Sequence, residues 1–115
     1  MLSREHRLVH EKDFARLFAK GRPFFGRGLT MKVVTNRLAA SRIGFVVSTK
    51  ISKKATVRNL IKRRMRDIVR KRIGAIHDGV DIVFMAKPES KTMTYQELEA
   101  VMTMLLVKTG LMKKI

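Results

Sequence analysis

The clearest pattern along the chain is a helical alternation of apolar and basic positions within residues 50–72. At about 100° per residue, one stripe is apolar, with the i, i+3 and i+4 spacing of a docking face: Val57, Ile61, Met65 and Ile68. The opposite stripe is polar and has Lys62 on its flank: Asn59, Arg63, Arg66 and Arg70. The pattern predicts a helix that packs on a core with one side and presents guanidinium groups with the other.

A shorter helix is predicted at residues 11–20. Glu11 and Asp13 occupy its first turn, where the helix dipole favours anions, and Gly21 follows as the C-cap. The apolar face of this helix contains Phe14, Leu17 and Phe18. We interpret Leu17 as core. Two phenylalanines one turn apart fit core packing, and they also fit a base-stacking surface beside a basic one.

Three strand-like stretches lie between these helices. Residues 23–26 form a short edge segment, and residues 28–35 and 41–48 are β-branched and joined by a loop that predicts a hairpin. In the first of the two longer strands, side chains alternate between the faces of a sheet. Lys32 then shares one face with Thr30, and it is solvated unless that face lines a binding groove.

The C-terminal third completes an α+β pattern. Residues 80–86 are a near-continuous apolar run, typical of a strand buried on both faces. Thr94 and Glu97 have the spacing of a capping box, which predicts a helix to about residue 107, with Met102 and Met104 as core filler. The order of elements predicts one α+β layer sandwich over residues 1–115. Residues 1–10 are basic and patternless, and we interpret them as a flexible arm that orders against an anion.

Charge narrows the range of partners. The chain has 26 Lys and Arg against 9 Asp and Glu, a net charge of +17, and this self-repulsion favours an anionic partner. Residues 50–72 contain a single acid, Asp67, and eleven of the basic residues: Lys50, Lys53, Lys54, Arg58, Lys62, Arg63, Arg64, Arg66, Arg70, Lys71 and Arg72. That concentration favours a polyanion, either nucleic acid or a membrane surface.

No catalytic or metal-binding constellation is recognisable. The carboxylates form no acidic cluster of the kind that a two-metal nuclease needs, and Asp78 and Asp81 fit ordinary turn chemistry. Phosphate-binding and nucleophile-elbow glycine motifs are absent. His6 and His10 have the i, i+4 spacing of a metal pair, but they lack a third ligand, and a surface arm explains them better. The sequence has no cysteine. Binding is therefore the predicted function, with no catalytic side chain and no metal site.

The charge run alone also fits a solvated face, but among polyanions nucleic acid fits the pattern best. A membrane-lying helix would carry Trp, Phe or Leu opposite its charges, and a DNA-reading helix-turn-helix would need a second helix after a short turn. A row of Arg with one Asn suits phosphate contact with limited base or ribose recognition. The N-terminus has no apolar signal region, and no apolar run approaches the roughly 20 residues that span a bilayer. We therefore expect a cytoplasmic protein.

Residues 57–66 (VRNLIKRRMR) resemble the signature of the bacterial ribonuclease P protein subunit, in which Arg-Asn-Arg is followed by Ile/Leu-Lys-Arg and another Arg. The similarity covers nearly the whole chain. Matching pieces occur in similar order at residues 4–8 (REHRL), 13–18 (DFARLF), 44–48 (GFVVS), 81–88 (DIVFMAKP) and 94–98 (TYQEL).

The resemblance implies an α+β fold like domain 2 of ribosomal protein S5, with a four-stranded mixed sheet, three helices and a left-handed βαβ crossover. It implies a protein subunit of ribonuclease P, which assists RNA-catalysed, magnesium-dependent endonucleolytic removal of the 5′ leader in tRNA maturation. Magnesium is expected to be held mainly by the RNA. The resemblance places leader recognition on Phe14, Phe18 and Lys32. It places catalytic-RNA binding on Lys53, Lys54, Arg58, Asn59, Lys62, Arg63, Arg64, Arg66 and Arg70.

Two departures from the family pattern bear on these expectations. Leu60 stands where the signature has its second Arg, and Arg64 one turn later is a candidate replacement for that charge. Lys32 stands where the family often has an aromatic residue, which exchanges stacking for a phosphate contact. Two other functions stay open: a ribosomal-type RNA-binding protein with no processing role, and an independent nuclease, which the missing acidic cluster disfavours.

Overall fold

Residues 2–113 are described by the computed structural model of the chain. Its helices and strands are α1 (Glu11–Lys20), β1 (Arg22–Gly26), β2 (Leu29–Thr35), β3 (Arg42–Val46), α2 (Ala55–Arg70), β4 (Val80–Ala86) and α3 (Tyr95–Lys108). The predicted helix at residues 11–20, the strand at residues 80–86 and the capping box between Thr94 and Glu97 are confirmed. None of the helices within residues 2–113 is long and apolar enough to cross a membrane. The cytoplasmic location stays a prediction.

The four strands form one mixed sheet in the order β1-β2-β4-β3, in which only the β3–β4 pair is parallel. β2 and β3 therefore do not pair, and the predicted hairpin between them is wrong. β4 lies between them because Ile82, Val83 and Phe84 are all fully buried, and a strand with two apolar faces gains most at the centre of a sheet. α2 makes the crossover from β3 to β4, and its left-handed course stays a prediction.

The two faces of the sheet are covered unequally. α2 and α3 pack on one face through the larger core, where Met31, Met65 and Leu98 are fully buried. α1 covers part of the other face through a small cluster of Leu8, Leu17 and Val83. The predicted α+β class, with three helices and a four-stranded mixed sheet, is confirmed. On α3, Met102 is core as predicted, whereas Met104 is 44% exposed and is not.

Residues 2–8 lie against the edge strand β3 in the structure, and the flexibility of the N-terminal arm stays a prediction. Leu2 and Leu8 are buried, and the backbone N–H of Leu8 donates to the Ile43 carbonyl oxygen at 3.0 Å. His6 Nδ1 lies 2.8 Å from the Ser41 carbonyl oxygen. Burial of the two leucines offsets the entropy cost of ordering this segment. The leucines stand among charged residues, so the sequence shows no apolar pattern that would predict this packing. Residue 1 lies outside the described residues.

A buried carboxylate ties α1 to the sheet. Asp81 on β4 is 0% exposed and accepts two hydrogen bonds from Arg42, at 2.8 and 2.9 Å, and one from Asn36 at 2.9 Å. Arg16 of α1 donates to the same carboxylate at 3.1 Å, and Arg42 also donates to Asp13 of α1 at 3.1 Å. Burial disfavours the charged form, but the hydrogen bonds from Arg42 and Asn36 outweigh it and lower the pKa of Asp81. The interpretation of Asp81 as ordinary turn chemistry is therefore wrong.

Candidate nucleic-acid interface

The outer side of α2 carries the polar row that the periodicity predicts. Asn59 and Arg63 are exposed and Arg66 is half-buried, while Ile61 and Met65 on the opposite side are buried in the core. Within residues 2–113, neither arginine shares an ion pair with a carboxylate. The guanidinium groups therefore keep their charge available for an external anion.

The basic residues in and before the first half of α2 differ in how far hydrogen bonds within the chain fix their side chains. Lys53 and Lys54 are exposed on the loop that leads into the helix. Arg58 donates to the Ser52 carbonyl oxygen at 2.9 Å, which fixes its guanidinium beside that loop. Arg64 donates to the Met93 carbonyl oxygen at 3.3 Å, so part of its guanidinium is directed toward the segment before α3. That Arg64 replaces the charge missing at Leu60 stays a prediction.

The C-terminal end of α2 is partly neutralised by acids. Asp67 accepts hydrogen bonds from Arg70 at 2.8 Å and from the Tyr95 hydroxyl at 2.7 Å, and Lys71 Nζ lies 3.4 Å from the same carboxylate. The hydrogen bonds from Arg70 and Tyr95 lower the pKa of Asp67 well below its usual range. Of the predicted RNA-binding residues on α2, Arg70 is thus already paired within the chain, and the unpaired positive charge concentrates toward residues 53–66.

A second surface lies on the α1 side of the sheet and brings together the three predicted cleft residues. The rings of Phe14 and Phe18 stack with centroids 6.2 Å apart. Lys32 Nζ donates to the Phe18 carbonyl oxygen at 3.0 Å and lies 5.8 Å from the Phe18 ring centroid. Phe14 is half-buried because its ring packs on Gly44, where a Cβ would lie 2.6 Å from the ring carbons. Phe18 is 41% exposed, so it is the ring more available to a ligand.

A cavity of about 140 Å³ at the edge of β3 connects the two surfaces. Lys62 and Arg66 line it from α2, and Phe14 and Phe45 contribute aromatic rings. Arg7 lines it as well, positioned by a hydrogen bond from its Nε to the Leu2 carbonyl oxygen at 2.9 Å. Cations beside aromatic rings are the combination with which proteins hold a single-stranded nucleotide.

Arg7 is the site residue that the sequence interpretation missed. Its position follows from the packing of residues 2–10, and the available signal was the apolar pair Leu2 and Leu8 at either end of an otherwise charged segment. In the structure Arg7 forms an isolated parallel bridge with Ile43 on β3, which brings its side chain to the cavity. The basic surface is therefore built from the N-terminal segment as well as from α2.

Comparison with known proteins identifies the family and the fold of the chain. The family model described as Ribonuclease P matches residues 2–110. The chain belongs to the ribonuclease P protein family. It is 36% identical over 107 residues to the ribonuclease P protein component of Picosynechococcus sp., covering 93% of this chain and 92% of the relative. It is 37% identical over 106 residues to that of Alkaliphilus metalliredigens, covering 92% of this chain and 95% of the relative.

Solved structures of the family share the architecture of this ribonuclease P protein. The Staphylococcus aureus RNase P protein superposes with a TM-score of 0.86 at 26% identity, covering 94% of this chain and 98% of that one. The Thermotoga maritima RNase P protein gives a TM-score of 0.81 at 29% identity, covering 89% and 96%. Family membership makes the chain the protein component of an endoribonuclease complex that has an RNA partner and functions in tRNA 5′ processing. The alternative of a ribosomal-type protein is not favoured.

Proposed function

We propose that this ribonuclease P protein binds the catalytic RNA through the exposed side of α2 and the single-stranded 5′ leader of precursor tRNA through the α1 side of the sheet. The RNA subunit then removes the leader by endonucleolytic hydrolysis. The observation that carries the proposal is the cavity at β3, because Lys62 and Arg66 there face the same space as Phe14. The two surfaces meet at this point, so one protein can hold both RNAs next to each other.

The proposed roles of the two surfaces follow from their chemistry. Arginine side chains such as Arg63 and Arg66 bind the phosphates of a folded RNA. Such contacts position the RNA and do not read its sequence. Stacked rings such as Phe14 and Phe18 bind unpaired bases, since every base has a π face. A leader is single-stranded, whereas the catalytic RNA is mainly a folded polyanion, and each surface therefore suits a different partner.

Magnesium is assigned to the RNA in this proposal. Within residues 2–113, no three His, Asp or Glu side chains lie close enough together to hold a metal ion. Mg2+ is readily held by phosphate oxygens together with water, which supports its assignment to the RNA. The contribution of the protein is to neutralise phosphates at the place where leader and catalytic RNA approach one another.

Replacement of Arg63 by alanine tests the α2 surface. We expect it to remove about one phosphate contact with ribonuclease P RNA, so the slope of log affinity against log salt falls by about one unit. Lys108→Ala is the matched control, since Lys108 is an exposed cation on α3. Affinity measured at several salt concentrations checks the expectation. Equal slopes for wild type, Arg63→Ala and Arg66→Ala would show that this side of α2 faces solvent in the complex.

Replacement of Phe18 by alanine tests the leader surface. Because Phe18 is 41% exposed, we expect a loss of stability well below the roughly 3–5 kcal/mol of a fully buried phenylalanine. The affinity of the ribonucleoprotein for leader-bearing tRNA should fall by about 5- to 150-fold, which corresponds to one stacked base. Leu17→Ala on the same helix is the control, since Leu17 is fully buried and its loss should cost about 2–5 kcal/mol of stability.

Urea unfolding and binding of leader-bearing against mature tRNA separate the two roles. Core packing alone would predict that Phe18→Ala loses as much stability as Leu17→Ala and that its folded fraction binds the leader normally. That combination would remove Phe18 from the proposed leader site.

A further inference from the structure

Phe25 is a large apolar side chain that the fold leaves in solvent. It lies on the edge strand β1 and is 70% exposed, compared with 41% for Phe18. An aromatic ring buries about 150–250 Å² when it packs, so an exposed ring gives up a large favourable contribution. The edge position alone does not explain this, because the neighbouring Phe24 on the same strand packs against the main core.

Strand register fixes the direction in which Phe25 points. Phe24 packs with the α2–α3 core, and a Cβ on Gly26 would lie 2.7 Å from Val101 of α3, so both of these residues face α3. Side chains alternate along a strand, and Phe25 therefore faces the opposite side. That side is the one on which α1 packs.

The same register places Phe25 next to the proposed leader surface. Phe25 pairs with Thr30, and Lys32 lies two residues along β2 on the same face. Such diagonal neighbours lie about 7–8 Å apart, within reach of an aromatic ring and a lysine. Lys32 in turn contacts Phe18, with its Nζ 5.8 Å from the ring centroid. The Phe18 ring, the Lys32 cation and the Phe25 ring thus form a line across this face, from α1 to the edge of the sheet.

The charge on this face indicates what it binds. Between Phe25 and the level of Asp81, the paired positions on this face are Pro23, Thr30, Lys32, Gly44, Val46, Val83 and Met85, none of which is acidic. The strand carboxylate at that level, Asp81, already accepts hydrogen bonds from Arg16 and Arg42. A second copy of the chain would bring another net charge of +17 to the edge, whereas RNA brings the opposite charge.

We propose that Phe25 is a further base-stacking residue, which extends the leader surface from Phe18 across Lys32 to the edge of the sheet and holds an unpaired leader base more distant from α1. This inference rests on the proposed leader binding by the α1 side of the sheet. Its specific consequence is a dependence on leader length. A leader too short to cross Lys32 gains nothing from Phe25, and a longer leader gains one stacked base.

The test measures binding of precursor tRNAs with stepwise longer leaders, and of mature tRNA, to the ribonucleoprotein formed with a bacterial ribonuclease P RNA. Phe25→Ala and Phe25→Leu should weaken binding of long-leader substrates by about 5- to 150-fold and leave the shortest leader and mature tRNA unchanged. Phe25→Tyr keeps a π face and should bind like wild type. Met104→Ala is the matched control, because Met104 is 44% exposed on α3, away from this face.

Four outcomes overturn the inference. In the first, Phe25→Ala binds long leaders as wild type does while Phe18→Ala does not, so the leader surface ends before Phe25. In the second, Phe25→Leu keeps full affinity, so the contact is apolar and not stacking. In the third, sedimentation shows a dimer that Phe25→Ala dissociates without a change in leader affinity. In the fourth, wild type itself shows no preference for leader-bearing tRNA, which overturns the proposed function as well.

Discussion

Replacement of Asp81 by alanine is expected to lower the free energy of unfolding by about 3–5 kcal/mol, the cost of removing one partner from a buried ion pair. The Asp81 carboxylate is fully buried and accepts hydrogen bonds from Arg42, Arg16 and Asn36. Its removal leaves Arg42, whose side chain is only 18% exposed, beside an unfilled space with Asp13 as its remaining acidic partner. Chemical denaturation measures the loss. Asp78→Ala, at an exposed acid three residues earlier, is the control and should change stability little.

The hydrogen-bonded cluster of Asp81, Arg42, Arg16 and Asp13 is called the clamp below, and the pH dependence of this loss is its second signature. The pKa of Asp81 is lowered in the folded protein relative to its usual value of about 3.9. The stabilisation is therefore fully present above about pH 4 and is lost as the pH falls through the folded-state pKa. The difference in stability between wild type and Asp81→Ala should be constant near neutral pH and shrink in acid. A difference that grows in acid, or an alanine variant as stable as Asp78→Ala, would contradict the clamp.

The clamp has a functional consequence because it positions α1. Arg16 and Asp13 on that helix are held by the sheet through Asp81 and Arg42. Phe14 and Phe18 lie on the same helix, so loosening its contact with the sheet should weaken leader binding more than catalytic-RNA binding. Asp81 and Arg42 are thus positioning residues for the proposed leader surface, although neither lies in it.

Local patterns predicted the helices of this protein well. The stripe of Ile61, Met65 and Ile68 is buried as its spacing requires, and the capping box at Thr94 begins α3. The apolar run of β4 predicted burial on both faces. These signals lie within single elements and need no knowledge of what packs against them, and they are therefore readable from the chain itself.

Features that depend on distant partners were not predicted. The sequence neighbours β2 and β3 favoured a hairpin, but β4 separates them, because strand order is decided by which strand buries most apolar surface. Leu2 and Leu8 stand among charged residues, so their burial was not predicted. The placement of Arg7 at the cavity follows from that burial and was therefore not predicted either. The ion-pair role of Asp81 was not predicted, since its arginine partners lie 39 and 65 positions away along the chain. The position of the polar row on the outer side of α2 was predicted from its spacing, and its role in RNA binding stays a prediction.

The largest functional effect is expected when the protein is added to a bacterial ribonuclease P RNA at low magnesium. Low magnesium leaves phosphate repulsion between catalytic RNA and substrate poorly neutralised, and the protein supplies fixed cations next to the cavity at β3, among them Arg7, Lys62 and Arg66. Cleavage of a 5′-extended tRNA precursor should rise by tenfold or more, the equivalent of about 1.4 kcal/mol or one good contact. The rise should diminish as magnesium is increased.

A combined Lys62→Ala, Arg63→Ala and Arg66→Ala variant is the matched control for this reconstitution. It keeps the buried side of α2 and should fold, yet it should lose most of the stimulation because three phosphate contacts are removed. The wild-type measurement tests the central claim most directly: cleavage of the leader by the RNA at low magnesium, with and without the protein. Clear stimulation that the triple variant lacks is the predicted result. Absence of stimulation across several ribonuclease P RNAs, or equal stimulation by the triple variant, would contradict the account.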